Sequence, residues 1–279
     1  MNNALTIDVE DYYMVSAFAD KVKFVEWPTY ESRVERNTYM ILDLLEKSGV
    51  IATFFILGWV AERHPKLVRD IYTAKHEIAC HGYNHRLIYD LTPRQFREDT
   101  IKAKDILENI VGTEVKGYRA ASYSIIKETL WALDVLIETG FRYDSSIFPI
   151  HHDRYGLPDA KRFAHVIERP SGSIVEIPPS TWHIYGHNIP VGGGGYLRLY
   201  PRLLTEAVIR RINTYEKEPA ILYVHPWEID IDQPRINGKW LSKLRHYINI
   251  DSTLPKLASC LSEFNFQPLI NIINSKFND

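Results

Sequence analysis

Ile51-Ala52-Thr53-Phe54-Phe55-Ile56-Leu57 is a short, nearly continuous apolar run. It is too short for a typical helix and lacks the alternation of a half-exposed strand. The pattern is that of a strand covered on both faces, as in a parallel α/β sheet. The flanking sequence repeats the theme. Residues 4–9 read as a strand. Val34, Ile41, Leu42 and Leu45 have helical spacing, and Gly49 ends that helix. After the central run come a helix over about 61–73 and a strand at Glu77–Cys80. Thr92-Pro93-Arg94-Gln95 then sets an N-cap, a first-turn proline and a capping-box glutamine in order, predicting a helix to about Val111 with Gly112 as its stop. Strand 114–118, helix 128–138 and strand 141–143 follow.

Repeated strand–helix units without an internal repeat motif predict a parallel α/β sheet, open or closed. The rhythm breaks over about 145–201, which holds Pro178-Pro179 and the run Gly192-Gly193-Gly194-Gly195. This stretch reads as an elaborated insertion within a single domain, 1–279, with a short β pair at 164–168 and 174–177. Helix 202–215 and strand 220–224 restore the pattern.

Composition narrows the function. A net charge of −2 gives no sign of a general nucleic-acid binder. No stretch approaches the roughly 20 apolar residues of a membrane span. Cys80 and Cys260 are too few for a disulfide framework and fit a reducing compartment. The absence of a secretory signal leads to an expectation of the cytoplasm or its membrane face.

Chemistry-bearing residues gather at predicted carboxyl ends of strands, where α/β folds place their active sites. Asp8, Glu10 and Asp11 end the first strand. His81 and His85 follow the third, Arg119 follows 114–118, and His225 follows 220–224. Two histidines four apart beside a carboxylate are a metal-ligand inventory, and the spare carboxylate and imidazole suit a separate base and acid. The bland alternatives are a helix cap for the acidic cluster, a structural ion pair for Arg119 and a packed histidine for His225. Strand alternation puts Glu10 on the same side as Asp8, making it the first choice as third ligand. Asp11 is the alternative, brought inward by a tight turn. The glycine run either lets backbone approach a bound ligand closely or forms a flexible lid. Cys80 reads as a buried inert thiol. His183 and His187 repeat the four-residue spacing but have no carboxylate motif beside them.

Thr6-Ile7-Asp8-Val9-Glu10-Asp11, His81-Gly82-Tyr83-Asn84-His85, Arg119-Ala120-Ala121-Ser122, Asp144-Ser145-Ser146 and Leu222-Tyr223-Val224-His225 resemble the ordered motifs of NodB-type polysaccharide deacetylases, carbohydrate esterase family four. The glycine-rich 192–199 and His225-Pro226-Trp227-Glu228 resemble its branch linked to PEP-CTERM exopolysaccharide loci. Two positions depart from the family pattern. Val9 separates Asp8 from Glu10 where adjacent aspartates are usual, and Ala121 stands where proline is usual.

The resemblance implies a deformed β/α barrel, usually of seven strands, holding zinc or another divalent metal on His81, His85 and a carboxylate. It implies Asp8 as general base, Arg119 as the residue orienting it, and His225 as general acid supported by Asp144. The oxyanion would be held by the metal and a backbone N–H near Ser122. Tyr83, Trp182, Tyr223 and Trp227, together with Tyr12 and Tyr13, are candidates to stack on sugar. The implied reaction removes N-acetyl groups from an amino-sugar polysaccharide or its lipid-linked precursor, releasing acetate. The alternatives are a metal-assisted amidase on a small cyclic amide or ureide, and a non-catalytic glycan-binding protein.

Overall fold

The computed structural model describes residues 1–277. Eleven strands are present among them: β1 (Asn2–Val9), β2 (Thr53–Ile56), β3 (Glu77–Cys80), β4 (Gly117–Tyr118), β5 (Tyr143–Asp144), β6 (His165–Arg169), β7 (Gly172–Glu176), β8 (Thr181–Ile184), β9 (His187–Pro190), β10 (Ile221–Val224) and β11 (Asn265–Gln267). The helices are α1 (Val34–Ser48), α2 (Gly58–Arg63), α3 (Pro65–Thr73), α4 (Pro93–Val111), α5 (Trp131–Glu138), α6 (Gly195–Leu199), α7 (Arg202–Arg211), α8 (Trp240–Tyr247), α9 (Thr253–Glu263) and α10 (Leu269–Phe277).

β10, β1, β2, β3, β4, β5 and β7 lie side by side in that order, and every neighbouring pair is parallel. β11 adds to the start of β1, and β6 runs antiparallel on the outer side of β7. The two ends of the parallel run are drawn together beyond β7. Ser180 N donates to Ile221 O at 3.1 Å, and Ile221 N donates to Ser180 Oγ at 2.7 Å. The sheet therefore curls into an incomplete barrel. β2 is buried at every position, as its unbroken apolar run requires.

Local chemistry sets several boundaries. Thr92 and Gln95 form the reciprocal capping box that starts α4, and Gly112 ends it in the left-handed region at φ 72°. The helix expected over 61–73 is two. Pro65 lacks the N–H that would continue the first helix, so the chain breaks at His64 and α3 starts with the proline. Only Gly117–Tyr118 of the expected strand 114–118 is paired. α7 stops at Arg211 and continues as a widened turn over Ile212–Glu216.

The irregular stretch is more integrated than an insertion. Its β pair is present as β6 and β7, but β7 also continues the parallel sheet beside β5. A second hairpin, β8–β9, and the elements α8, α9, β11 and α10 were not expected from the sequence. The glycine run lies against β10, and Gly194 and Gly195 line the cleft at the strand ends. A Cβ on Gly193 would sit 1.8 Å from Tyr223 O, and one on Gly194 would meet the Tyr223 ring at 2.8 Å. Gly194 N donates to Tyr223 O and Tyr223 N to Gly192 O, so these glycines permit a close backbone approach that helps close the barrel.

Candidate active site

The carboxyl ends of the parallel strands deliver a set of polar side chains to one cleft of about 570 Å³. That volume falls in the range of small-molecule sites. Asp8 near the end of β1 and Glu10 just after it both line the cleft, and both are buried. The loop after β3 carries His81 and His85. It is fixed from behind: Gly58 N and Trp59 N, at the start of α2, donate to Gly82 O and Tyr83 O, and Tyr83 N donates to Asp99 Oδ2 at 2.8 Å. Gly82 and His85 both take left-handed φ, 74° and 55°, which turns the loop tightly enough for both imidazoles to face inward.

Glu10, His81 and His85 each bring a ligand atom within 4.8 Å of the others. The donor chemistry fits a divalent cation. His81 Nδ1 donates to Arg119 O at 2.7 Å, which leaves its Nε2 lone pair for a metal. Burial, the largest influence, pushes the His81 pKa down to about 4, so the ring is neutral as a ligand must be. Glu10 Oε1 accepts from Trp227 Nε1 at 3.1 Å, while Oε2 lies 2.8 Å from His85 Nε2 and accepts no hydrogen bond. A buried carboxylate oxygen with no donor, set against two imidazoles, is what a cation would neutralise. Burial would raise the Glu10 pKa, but His85, then His225 and His81, hold it well below the usual carboxylate range.

Asp11 goes elsewhere. Its Oδ2 accepts from Arg33 N (2.8 Å), Val34 N (3.1 Å) and Ser32 Oγ (3.0 Å), and its Oδ1 accepts from Tyr12 N. These donors lie at the start of α1, so Asp11 caps that helix from a distance and Glu10 alone represents the acidic motif in the cluster. Burial nevertheless pushes its carboxyl up to about 6.

Beside the cluster stands a second group of charges. Arg119 is fully buried and gives Nη1 to Asp8 Oδ1 at 2.6 Å and to Thr6 Oγ1 at 2.7 Å. Its Nε and Nη2 go to Ser145 O and Oγ. Asp8 Oδ2 is left facing His225 Nε2 at 3.8 Å, and the same nitrogen lies 3.6 Å from Glu10 Oε1. His225 Nδ1 is 2.5 Å from Glu228 Oε1, and Glu228 Oε2 is 2.8 Å from the buried Arg198 Nε. Burial works against a charged His225. The hydrogen bond and charge of Glu228, then Glu10 and Asp8, outweigh it and raise the pKa to about 9.

Several expected roles are corrected. The carboxylate on His225 is Glu228, not Asp144. Asp144 accepts from Ser146 Oγ and shares a buried site with Glu176. Burial pushes its carboxyl up to about 6, and that of Glu176 higher still under the added charge of Asp144. It acts one step back: Ser146 Oγ also accepts from Ala120 N at 2.7 Å, fixing the loop after Arg119. Tyr83 lies outside the cleft, its hydroxyl on Glu62 and its ring under Lys102 Nζ at 3.3 Å. Trp182 sits on β8, also away from the cleft. Tyr12 and Tyr13 are core residues. Trp227 does line the cleft, but its faces are taken by His246 (4.1 Å) and His225 (5.3 Å), so it is a support and not a sugar platform.

Tyr223 and Ser122 line the cleft. Ser122 and Tyr123 take consecutive left-handed φ values, 50° and 55°, a strained wall held by the Ser122 Oγ–Ser16 Oγ hydrogen bond at 2.7 Å. Glu228 and Arg198 went without a role in the sequence reading. The signal for Glu228 was its position three residues after His225, opening a short helical turn. Arg198 carried none, since its partner lies thirty residues away.

Residues 20–143 match the family described as polysaccharide deacetylase, and residues 145–274 match one described as Domain of unknown function (DUF3473). His225, Trp227, Glu228 and Arg198 all fall in the second stretch, whereas His81, His85 and Arg119 fall in the first. A peptidoglycan-N-acetylglucosamine deacetylase of Bacillus cereus is 35% identical over 98 residues, 35% of this chain and 36% of that protein. The chain thus spans little more than a third of that relative, and 46% and 37% of the next two, from Gibberella zeae and Helicobacter pylori. Among solved structures, a Mycobacterium smegmatis protein assigned to the polysaccharide deacetylases superposes with a TM-score of 0.64 at 22% identity, covering 98% of this chain and 88% of the other. PuuE allantoinase superposes with a TM-score of 0.60 at 17% identity, covering 99% and 91%. At these identities both likenesses speak to the fold.

Proposed function

We propose that this chain, a member of the polysaccharide deacetylase family through residues 20–143 with a domain of unknown function at residues 145–274, hydrolyses N-acetyl groups from an amino-sugar glycan and releases acetate. The two stretches act as one catalytic unit in this reading. The observation that carries it is the pairing of Asp8 Oδ2 with His225 Nε2, 3.8 Å apart, beside the Glu10–His81–His85 cluster. A base and an acid so placed can serve both sides of one amide.

Zinc or another divalent cation on Glu10, His81 and His85 would supply the positive charge that polarises an amide carbonyl and eases deprotonation of water near neutral pH. Arg119 holds one Asp8 oxygen and leaves the other to take the proton of the attacking water. Ser122 lines the same cleft and its backbone N–H would serve the developing oxyanion, since those of Ala120 and Tyr123 are given to Ser146 Oγ and Ala120 O. Glu228 keeps His225 charged and oriented, so that Nε2 donates to the sugar amine as the C–N bond breaks. An amine leaves poorly as an anion, and this proton is what makes it a leaving group. An exopolysaccharide or its lipid-linked precursor is the substrate favoured by the motifs at 192–199 and His225–Glu228.

Acetate release from N-acetylated oligosaccharides tests the reading, with protein stripped of metal and then restored with zinc. Asp8→Asn should lower the restored rate about 10²–10⁴-fold. A protein that binds one metal yet releases no acetate from any glycan refutes it. A cyclic ureide belongs in the same panel, because a metal-assisted amidase on the same fold would turn it over.

A further inference from the structure

The cleft is acidic at its floor and cationic at its mouth. Arg154 and Arg245 both line it, from a loop after β5 and from α8 respectively. Both are exposed at that mouth. Among the described residues neither guanidinium has an ion-pair or hydrogen-bond partner, although the backbone of each is anchored. Arg154 N donates to His152 Nδ1 at 3.2 Å, and Arg245 O accepts from Arg198 Nη2 at 3.2 Å. A His152–Tyr155 stack with ring centres 3.8 Å apart lines the same cleft. Both arginines act electrostatically on both members of that stack. Asp153, the exposed acid of this loop, has Oδ1 3.0 Å from His152 Nδ1, the nitrogen that accepts from Arg154 N. Asp8 and Glu10 belong to the floor.

Two guanidiniums from separate segments, lining one cleft with neither paired to an acid among the described residues, favour an anion there. We propose that Arg154 and Arg245 form an anion subsite at the cleft mouth, which takes a carboxylate or phosphate carried by the glycan beside its N-acetylated sugar. The proposal rests on the deacetylase reading for what occupies the floor. Forked donors suit either oxyacid. The subsite makes the enzyme selective for acidic glycans over neutral ones.

Calorimetric binding to the metal-loaded protein tests this without turnover. One probe pair is a hyaluronan tetrasaccharide, with carboxylates beside N-acetylglucosamine, against neutral chitotetraose. The other is N-acetylglucosamine 1-phosphate against N-acetylglucosamine. At least one anionic probe should bind about 10-fold more tightly than its neutral counterpart, and that pair identifies the group recognised. The preference should weaken with salt and vanish in Arg154→Gln/Arg245→Gln, with affinity for the neutral probes unchanged. Equal affinities in both pairs, undetectable binding included, overturn the proposal. So does a preference that survives the double variant, which would put the anion on the metal cluster. Acetate release is read in parallel: a preference lost in the variant without any release refutes deacetylation and leaves the subsite standing.

Discussion

Trp227→Phe isolates one hydrogen bond at the metal cluster. Trp227 Nε1 donates to Glu10 Oε1 at 3.1 Å, and this is the bond that aims the carboxylate. Phenylalanine keeps a ring between His246 and His225, at 4.1 and 5.3 Å, and removes only the donor and part of the indole. A hydrogen bond to a charged group contributes about 1.5–3 kcal/mol, which corresponds to roughly 10–100-fold in affinity. Loss of a partner that orients a metal ligand independently costs about 10–100-fold. The two estimates agree. Competition with a chromogenic chelator should therefore show zinc affinity falling by that factor, while Glu10→Gln, which weakens a ligand itself, falls further. The smaller ring also leaves a void costing about 1–2 kcal/mol, read separately as the melting temperature of the metal-stripped protein. A Trp227→Phe protein that is folded and binds zinc within twofold of the parent would refute the role given to this bond.

Three further outcomes follow from the geometry. Glu228→Gln removes the charge that holds His225 protonated, so the basic limb of the pH–rate profile should move to lower pH; an unmoved limb would assign the acid elsewhere. Asp11→Ala should lower stability by about 2–3 kcal/mol in denaturant melts, by stripping the acceptor from the buried donors at the start of α1. Its zinc affinity should be unchanged, and a large loss there would return Asp11 to the ligand set. His76 is buried with its Nδ1 accepting from Ala52 N at 3.1 Å, and burial pushes its pKa down from 6.5 to about 4. Between those values the unfolded chain binds a proton that the folded one does not, so stability falls as pH drops through this window, by about 3 kcal/mol at most. His76→Asn keeps an acceptor but cannot titrate there, and should flatten this part of the stability–pH curve.

What the sequence disclosed and what it hid divide along the range of the interactions. The parallel strands were legible because burial on both faces forces unbroken apolar runs, as at Thr53–Ile56. The two histidines were legible because their spacing and the strand before them are local. Asp11 was ambiguous for the opposite reason: its use is decided by Arg33 and Val34, more than twenty residues away. The glycine run was half legible: it lines the cleft at Gly194 and Gly195, but only the folded chain shows that its close neighbour is the backbone of Tyr223.

The partner of His225 is the sharpest case. Family resemblance pointed to Asp144, at the end of another strand. The fold instead supplies Glu228, three residues along the chain, and holds it with Arg198. Asp144 is not idle: through Ser146 it fixes the backbone at Ala120, next to the arginine that holds the base. Support for His225 is thus local in sequence, while Asp144 supports the backbone beside Arg119. On the deacetylase reading His225, Glu228 and Arg198 form the proton donor, and all three lie in the stretch matched as a domain of unknown function. That reading makes residues 145–274 part of the site, since they also supply β10, the strand paired with the one that carries Asp8.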